Sequence, residues 1–463
     1  MMKGYLTVFL ALSLSTLTGF ILFLTFCAIR NEEKIRFECA ADTSMNAVLS
    51  EFHKELFEKY GLLYIDASYL GETASEENLE ERLRFYIERN TDHILGRKNG
   101  PWGSLQTREV EITSFETAAA GMGLSMRSQA VTYVEDIGAV RKEALAVPYK
   151  DLFANIDACD PMSGWSSVME QINEIELPVI LNEKNEWEEV PLSNPADWVY
   201  SLEGSDALYL AQAQTNAISP VSIDVGNLIS HRSIQNVSVS DRHYKRDETL
   251  FLTYLFEKMG NYKELPKESI LCCQLEYLAE GKQSDLENMA AVAERLLRWR
   301  FADNLKLALS DETLRGQAQA AANELLAVQL KSEFEKLVTE SILYACAFLE
   351  SVSDIKALFA GGEVPLQKGN HQMSVDAVLT GTVYGKEGSS GLCYSQYLAG
   401  MILLLNEEIQ NLRAMDIMEM DIRFRRGSTG FCMDWCIERY EAFVTAGGSM
   451  PMPIQLRRQY GYF

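Results

Sequence analysis

Residues 5–29 read YLTVFLALSLSTLTGFILFLTFCAI and contain no charged side chain. As an α-helix this stretch is about 37 Å long at roughly 1.5 Å per residue, enough to cross a hydrocarbon core of about 30 Å with some tilt. It is longer than the apolar core of a cleavable secretory signal, about 7–15 residues, and no A-x-A site follows it. Cys27 is preceded by Leu24, Thr25 and Phe26, so bulky Phe26 stands where lipoprotein processing needs a small residue. The reading is a transmembrane anchor over residues 1–30, uncleaved or only minimally trimmed, with the lipid bilayer as its first partner. A short basic tip carrying Lys3 precedes it, and Arg30, Lys34 and Arg36 follow, interleaved with Glu32, Glu33 and Glu38. A basic tip ahead of a first apolar helix is a signal-anchor pattern. It places the amino end in the cytoplasm and the body on the far side of the cell membrane, as a single-pass protein. Within the span, Ala11, Ser15 and Gly19 recur every fourth residue, a face of small side chains on which another helix can pack closely.

Beyond the anchor the chain has ordinary globular composition, 47% hydrophobic and 23% charged over 463 residues. The balance of 42 Lys and Arg against 66 Asp and Glu, a formal charge of -24, excludes a phosphate-backbone binder, so no nucleic-acid partner is expected. All 66 acids and all but one of the bases lie beyond residue 29. Phe37, Ala41, Ser44, Val48, Phe52 and Leu56 recur at helical spacing, which predicts that the anchor helix continues as an amphipathic helix until Gly61. Thr73 and Glu76 fit a capping box opening a charged helix to Arg89. Residues 96–103 read as a turn, and the alternation at Val110, Ile112 and Ser114 as a half-buried strand. Residues 126–140 return to helical spacing. The Pro-, Asn- and Ser-rich stretch from about Asp157 to Asp241 predicts turns and short strands, including one at residues 207–211. Helix resumes at 248–259 and dominates 285–359, to be broken by Gly361 and Gly362. A Gly- and Ser-rich loop at 381–391 leads into an apolar helix over 394–415, and the final segments, 421–424 and 431–443, suit strand or helix. The apolar runs 341–349 and 397–405 are too short to span and suit buried core helices.

The fold class expected is therefore α+β and helix-dominated: one N-terminal transmembrane helix continuing into a long amphipathic helix, then a mixed ectodomain. Four stretches result: the anchor, residues 1–30; a stalk helix and first α+β part, 31–150; an irregular part with short strands, 151–245; and a mainly helical part with possible C-terminal strands, 246–463.

No catalytic motif emerges. Nine cysteines show no C-x-x-C spacing, and five scattered histidines form no H-E-x-x-H, so metal ligands and cofactors are expected to be absent and the thiols free and largely buried. On a helix, Cys432 and Cys436 would share a face. Gly381, Gly385 and Lys386 resemble a phosphate loop only loosely, because Glu387 replaces the magnesium-binding Ser or Thr. Gly121-Met122-Gly123 lacks the third glycine of a dinucleotide loop. Trp165, Trp187 and Trp198 are candidates to line a ligand groove, with core packing as the alternative. The chain reads as a non-enzyme with no catalytic residues.

Several landmarks resemble a known group. Lys3-Gly4-Tyr5-Leu6-Thr7-Val8-Phe9-Leu10 resembles the start of TadE/TadG-like proteins of Flp (tight adherence) pilus systems in Gram-positive anaerobes. Phe52 to Leu62 (FHKELFEKYGL), Gln129 to Tyr133 (QAVTY), Asn194 to Asp197 (NPAD), Gln274 to Leu278 (QLEYL) and residues 351–365 look like successive landmarks of an uncharacterised clostridial family found with those pilus genes. The resemblance implies a minor-pilin-like or assembly component of a Flp/Tad-type pilus or secretion system, contacting apparatus partners through its transmembrane helix, with no established activity. It also implies a possible prepilin-peptidase site between Gly4 and Tyr5. The mature fifth residue of such prepilins is usually glutamate, whereas this chain has Phe9, which speaks against a major filament subunit. The alternative reading is a membrane-tethered adhesin or ligand-binding module.

Overall fold

A computed structural model of the chain describes all residues except 1, 70, 72, 96–104, 176–178, 182–186, 190–193, 217, 235–241, 326–331, 370, 382–389, 425–429, 449–451 and 463. In chain order, α1 (Met2–Leu49), α2 (Lys54–Tyr60), β1 (Ile65–Asp66), α3 (Glu76–Leu95), β2 (Gln106–Thr117) and α4 (Ala120–Ile137) come first. Then follow α5 (Lys150–Asp157), α6 (Pro161–Asn173), β3 (Val179–Leu181), β4 (Trp187–Glu189), α7 (Asp197–Tyr200) and α8 (Ala207–Leu210). The helical stretch comprises α9 (Glu248–Lys258), α10 (Gln274–Glu280), α11 (Asp285–Ser310), α12 (Glu312–Leu325) and α13 (Ser332–Ala360). Helices α14 (Val375–Thr380), α15 (Tyr394–Leu403) and α16 (Glu407–Phe424) precede the closing strands β5 (Cys436–Gly447) and β6 (Ile454–Gly461). The protein is α+β and helix-dominated.

The chain forms two compact units that interleave in sequence. One comprises residues 1–133, 228–246 and 415–463, and the other residues 134–227 and 247–414. The sequence reading divides the chain into four consecutive stretches instead. Local patterning cannot show that a segment such as 228–246 belongs with residues nearly two hundred positions away.

In the first unit, β5 is the centre of an antiparallel sheet, with β2 along one side and β6 and the short β1 on the other. One face carries Val110 and Ile112 of β2, Tyr440, Ala442, Val444 and Ala446 of β5, and Ile454 and Leu456 of β6. Against it lie Phe37, Ala41, Met45 and Val48 of α1 and Leu79, Leu83 and Ile87 of α3. The steps of two on the strands and of three or four on the helices are what bring these apolar groups to one interface. A slip of register between Ile112 and Ser114 turns Ser114 out to solvent.

The amphipathic pattern after the apolar run is real, but the helix ends at Leu49 rather than at Gly61. Residues 50–53 turn the chain, and His53 starts α2 by accepting the Leu56 N–H at its Nδ1. A side chain that binds a free N–H at the helix start competes with continuing the helix. Gly61 then ends α2 at φ 72°, and a Cβ there would meet the Tyr133 ring at 2.5 Å, so both conformation and space demand glycine. Ser75, not Thr73, faces the start of α3, 3.4 Å from the Asn78 N–H. The strand expected at 207–211 is the helix α8, because Asp206 caps it through the Leu208 N–H at 2.9 Å. The apolar helix expected over 394–415 is broken at residues 404–406 into α15 and α16. The turn at 96–103 and most of the loop at 381–391 lie outside the described residues.

The second unit is built on α11 and α13, with α12 against α13 and α10 against α11. Runs 341–349 and 397–405 lie in this interior and are almost wholly buried, as core helices should be. Trp165, Phe301, Tyr344 and Phe348 form one aromatic group, with ring centroids 5.5–6.3 Å apart.

Candidate membrane anchor and ligand cleft

The two ends of α1 meet different surroundings. Its apolar part is bare: Tyr5 is 77% exposed, and Ala11, Ser15 and Gly19 are exposed as well. A Cβ added at Gly19 meets nothing within 4 Å, so the small-residue face is open along its length. Gly4 lies within α1, and its exposure is outside the described residues. From Glu33 onward the same helix is packed on the sheet. Among the described residues this is the one helix long and apolar enough to cross a membrane, and none of its most apolar window is buried.

The body, in contrast, buries charge. In the second unit Arg300 of α11 is fully buried, with Nε 3.1 Å from Asp354 Oδ2 and a terminal nitrogen 2.9 Å from Asp303 Oδ2. Its other terminal nitrogen donates to the Leu366 carbonyl at 3.0 Å and lies 3.3 Å from the Tyr397 hydroxyl. Lys368 Nζ completes the group, 2.6 Å from Asp354 and 2.7 Å from Glu350. Burial opposes the Arg300 charge, but Tyr397, Asp354 and Asp303 outweigh it and hold the guanidinium above its ordinary pKa. In the first unit Arg232 bridges Glu419 and Asp434, its nitrogens 2.5 and 2.6 Å away, and Arg242 meets Glu438 at 2.8 Å. These pairs tie the described residues of segment 228–246 into its unit: Arg232 shares the buried Glu419 with Arg423 and meets Asp434, and Arg242 meets the buried Glu438, so losing either arginine removes charge balance from a buried acid.

The landmark residues have structural partners too. Gln129 binds the Leu63 backbone in both directions, at 2.9 and 3.1 Å. Asn194 donates to Ser341 Oγ at 3.2 Å, and Gln274 accepts the Gly260 N–H at 2.9 Å. Glu276, in the same landmark, is fully buried and accepts the Tyr262 N–H at 2.8 Å and the Tyr394 hydroxyl at 2.9 Å. Burial pushes its carboxyl up to about 7 against those hydrogen bonds.

A cleft of about 510 Å³ opens in the second unit. Phe301, Phe348 and Met162 give it apolar surface, and Arg298, Lys282, Glu203 and Glu294 add charges of both signs to its lining. Arg295 also lines it and is held by Asp157 at 2.9 and 3.0 Å, and Arg298 reaches the same carboxylate at 2.9 Å. Burial would raise the Asp157 carboxyl, but hydrogen bonds from Arg295 and Trp299 and the two arginine charges hold it below the usual range. Such a lining suits a ligand with an apolar group and charges of both signs.

Neither Trp165 nor Trp198 lines this cleft. Trp165 is fully buried in the aromatic group, and Trp198 spends its indole N–H on the Val378 carbonyl at 2.7 Å. The side chain of Trp187 lies outside the described residues. The cleft's charged residues escaped sequence reading because Glu203, Lys282 and Arg298 come from separate segments and none belongs to a motif.

All nine cysteines are free. Cys432 and Cys436 do not share a helix face: a short turn at Met433–Trp435 separates them, and β5 begins at Cys436. The adjacent N–H groups of Cys272 and Cys273 both donate to the Asp285 carboxylate, at 2.7 and 2.9 Å. Burial pushes Cys346 up to about 12 and raises Cys273 and Cys436 as well, which keeps these thiols protonated and unreactive. Cys39 and Cys159 are exposed, so burial does not extend to all nine. Among the described residues no three His, Cys, Asp or Glu side chains are grouped to hold a metal ion.

No curated protein matches the chain, and no solved structure matches it. Residues 185–448, more than half of the chain, match the model of a family of unknown function, DUF5702. The match covers the cleft's Glu203, Lys282 and Arg298 and leaves the apolar helix outside it, and on this evidence the chain belongs to the DUF5702 family.

Proposed function

We propose that the chain is a single-pass envelope protein, anchored in the bilayer by residues 5–29 with its acidic body outside the cytoplasm. In this reading it serves as a minor-pilin-like or assembly component of a Flp/Tad-type pilus or secretion apparatus and is not an enzyme. The observation that carries the anchor is the contrast along α1: the apolar part is bare while the amphipathic part is packed. Bare apolar surface on that scale belongs in lipid rather than in water. The orientation rests on the signal-anchor pattern, a short basic tip ahead of a first apolar helix; the count of Lys and Arg, with Lys3 before the run and Arg30, Lys34 and Arg36 after it, does not favour it. The pilus assignment rests on the resemblance of the landmarks from Lys3 to Pro365. Protease added to intact cells tests the orientation: the body is digested if it is outside, and its survival overturns the proposal. Co-purification with pilus components from mildly solubilised membranes tests the partner.

The cleft favours a second reading, a tethered ligand-binding module. Screening the solubilised full-length chain for thermal stabilisation by peptides and charged glycans tests it. Stabilisation that Arg298→Ala abolishes would support the module, and the absence of any stabilising compound would leave the assembly role standing alone.

A further inference from the structure

The end of the sheet touches α1 where the span stops. Arg30 follows the last uncharged residue of the apolar run, and its guanidinium donates to the carbonyl oxygens of Met452 at 2.7 Å and Pro453 at 2.9 Å. On the other side of the β5–β6 connection, Gly448 lies so close to Glu33 that a Cβ there would fall 2.5 Å from its carboxylate. Gly448, Met452 and Pro453 are therefore held against the first turn of α1 beyond the apolar run, within about one helical pitch, 5.4 Å, of its end. Pairing of the two strands stops at Ala446 and Ile454, so Met452 projects beyond the sheet, and its side chain is 73% exposed.

We propose that Met452, just before β6, is a second membrane contact and enters the boundary between phospholipid headgroups and acyl chains beside α1. The inference rests on the reading that residues 5–29 span the bilayer. Three observations choose lipid as the occupant. The contact is continuous with the end of the span. The exposed group is apolar and flexible, the kind that fills an irregular acyl surface. The backbone is also prepared for an environment poor in water: Arg30 already satisfies the carbonyls of Met452 and Pro453, and Pro453 has no N–H to satisfy. The charges nearby are mixed, with Arg30 and Lys34 beside Glu32 and Glu33, so the contact does not depend on anionic lipid. Its consequence is that the first unit is fastened to the membrane at two points and does not swing on α1.

The test uses the full-length chain in phosphatidylcholine vesicles, with an environment-sensitive fluorophore on Met452→Cys in a C39S, C159S background. The background protein, treated in parallel, supplies the correction for labelling elsewhere. A second preparation carries the fluorophore on Leu17→Cys. With Met452 about 5–10 Å below the headgroups, its probe is quenched at least about twofold more by a nitroxide near the lipid glycerol than by one at the chain ends. It is also sheltered from aqueous iodide. A Met452 probe open to iodide and untouched by either nitroxide overturns the proposal, provided the Leu17 probe is quenched by the deep nitroxide. If the Leu17 probe also escapes both nitroxides, the spanning reading fails and this inference falls with it.

Discussion

The apolar part of α1 and the interior of the body reverse the usual distribution of side chains in opposite ways. In the first, Leu, Phe and Ile stand bare over residues 5–29. In the second, Arg300, Asp354, Glu419 and Glu438 are almost completely enclosed. Bare apolar groups are stable only in another solvent, and enclosed charges only among partners. The comparison teaches that the environment, and not residue type, states the role of each region.

The largest effect expected comes from putting charge where the partners are missing. Leu14→Arg combined with Leu17→Arg costs about 5–7 kcal/mol of insertion free energy at the centre of a span. The variant leaves the alkali-resistant membrane pellet while the parent remains in it. A variant that stays in the pellet breaks the comparison from the lipid side.

Removing a partner inside the body comes next. Arg300→Met leaves Asp303 enclosed without its guanidinium, while Asp354 keeps Lys368, a loss of about 3–5 kcal/mol by denaturant unfolding. Adding Asp303→Leu sharpens the reading. Partial recovery in the double variant assigns the loss to the stranded acid, and a purely additive result assigns it to packing.

Glu276 offers a pH-dependent case. Its folded pKa of about 7 lies above the ordinary carboxylate value of 4.5, so the folded state holds this proton more tightly than the unfolded chain. Stability from this group is greatest below about pH 4.5 and falls as pH rises through 7, by on the order of 3 kcal/mol in full. Glu276→Gln, which stays neutral, removes that fall. The check is the difference in unfolding free energy between variant and parent at pH 5 and pH 8. A difference independent of pH would mean that Glu276 is ionised in the fold throughout.

The smallest effect on the chain's own stability is expected at the small-residue face. Ala11→Leu, Ser15→Leu and Gly19→Leu together leave insertion and unfolding unchanged, because among the described residues nothing packs there. They reduce co-purification of transmembrane partners, and unaltered co-purification removes this face from the account.

Periodicity and composition sufficed for the helices whose surroundings are uniform along one face. The apolar helix over residues 5–29, its continuation through Phe37, Ala41 and Val48, and the helical stretch of α11 to α13 were legible in this way. Where one side chain overrides the pattern, reading along the chain failed. His53 and Asp206 each start a helix with a single hydrogen bond, one cutting a continuous amphipathic pattern and the other converting an expected strand. The cleft was illegible because charged residues with no shared motif come together only after folding. Residue order thus settled the class, the apolar segment and the acidic balance, since these depend on each residue's own affinity for water. The pairing of β5 with β2 and β6, the arginines that meet Glu419 and Asp354, and the seat of Met452 and Pro453 on Arg30 required the folded chain. They join residues up to 423 positions apart, and nothing local to either partner specifies such a contact.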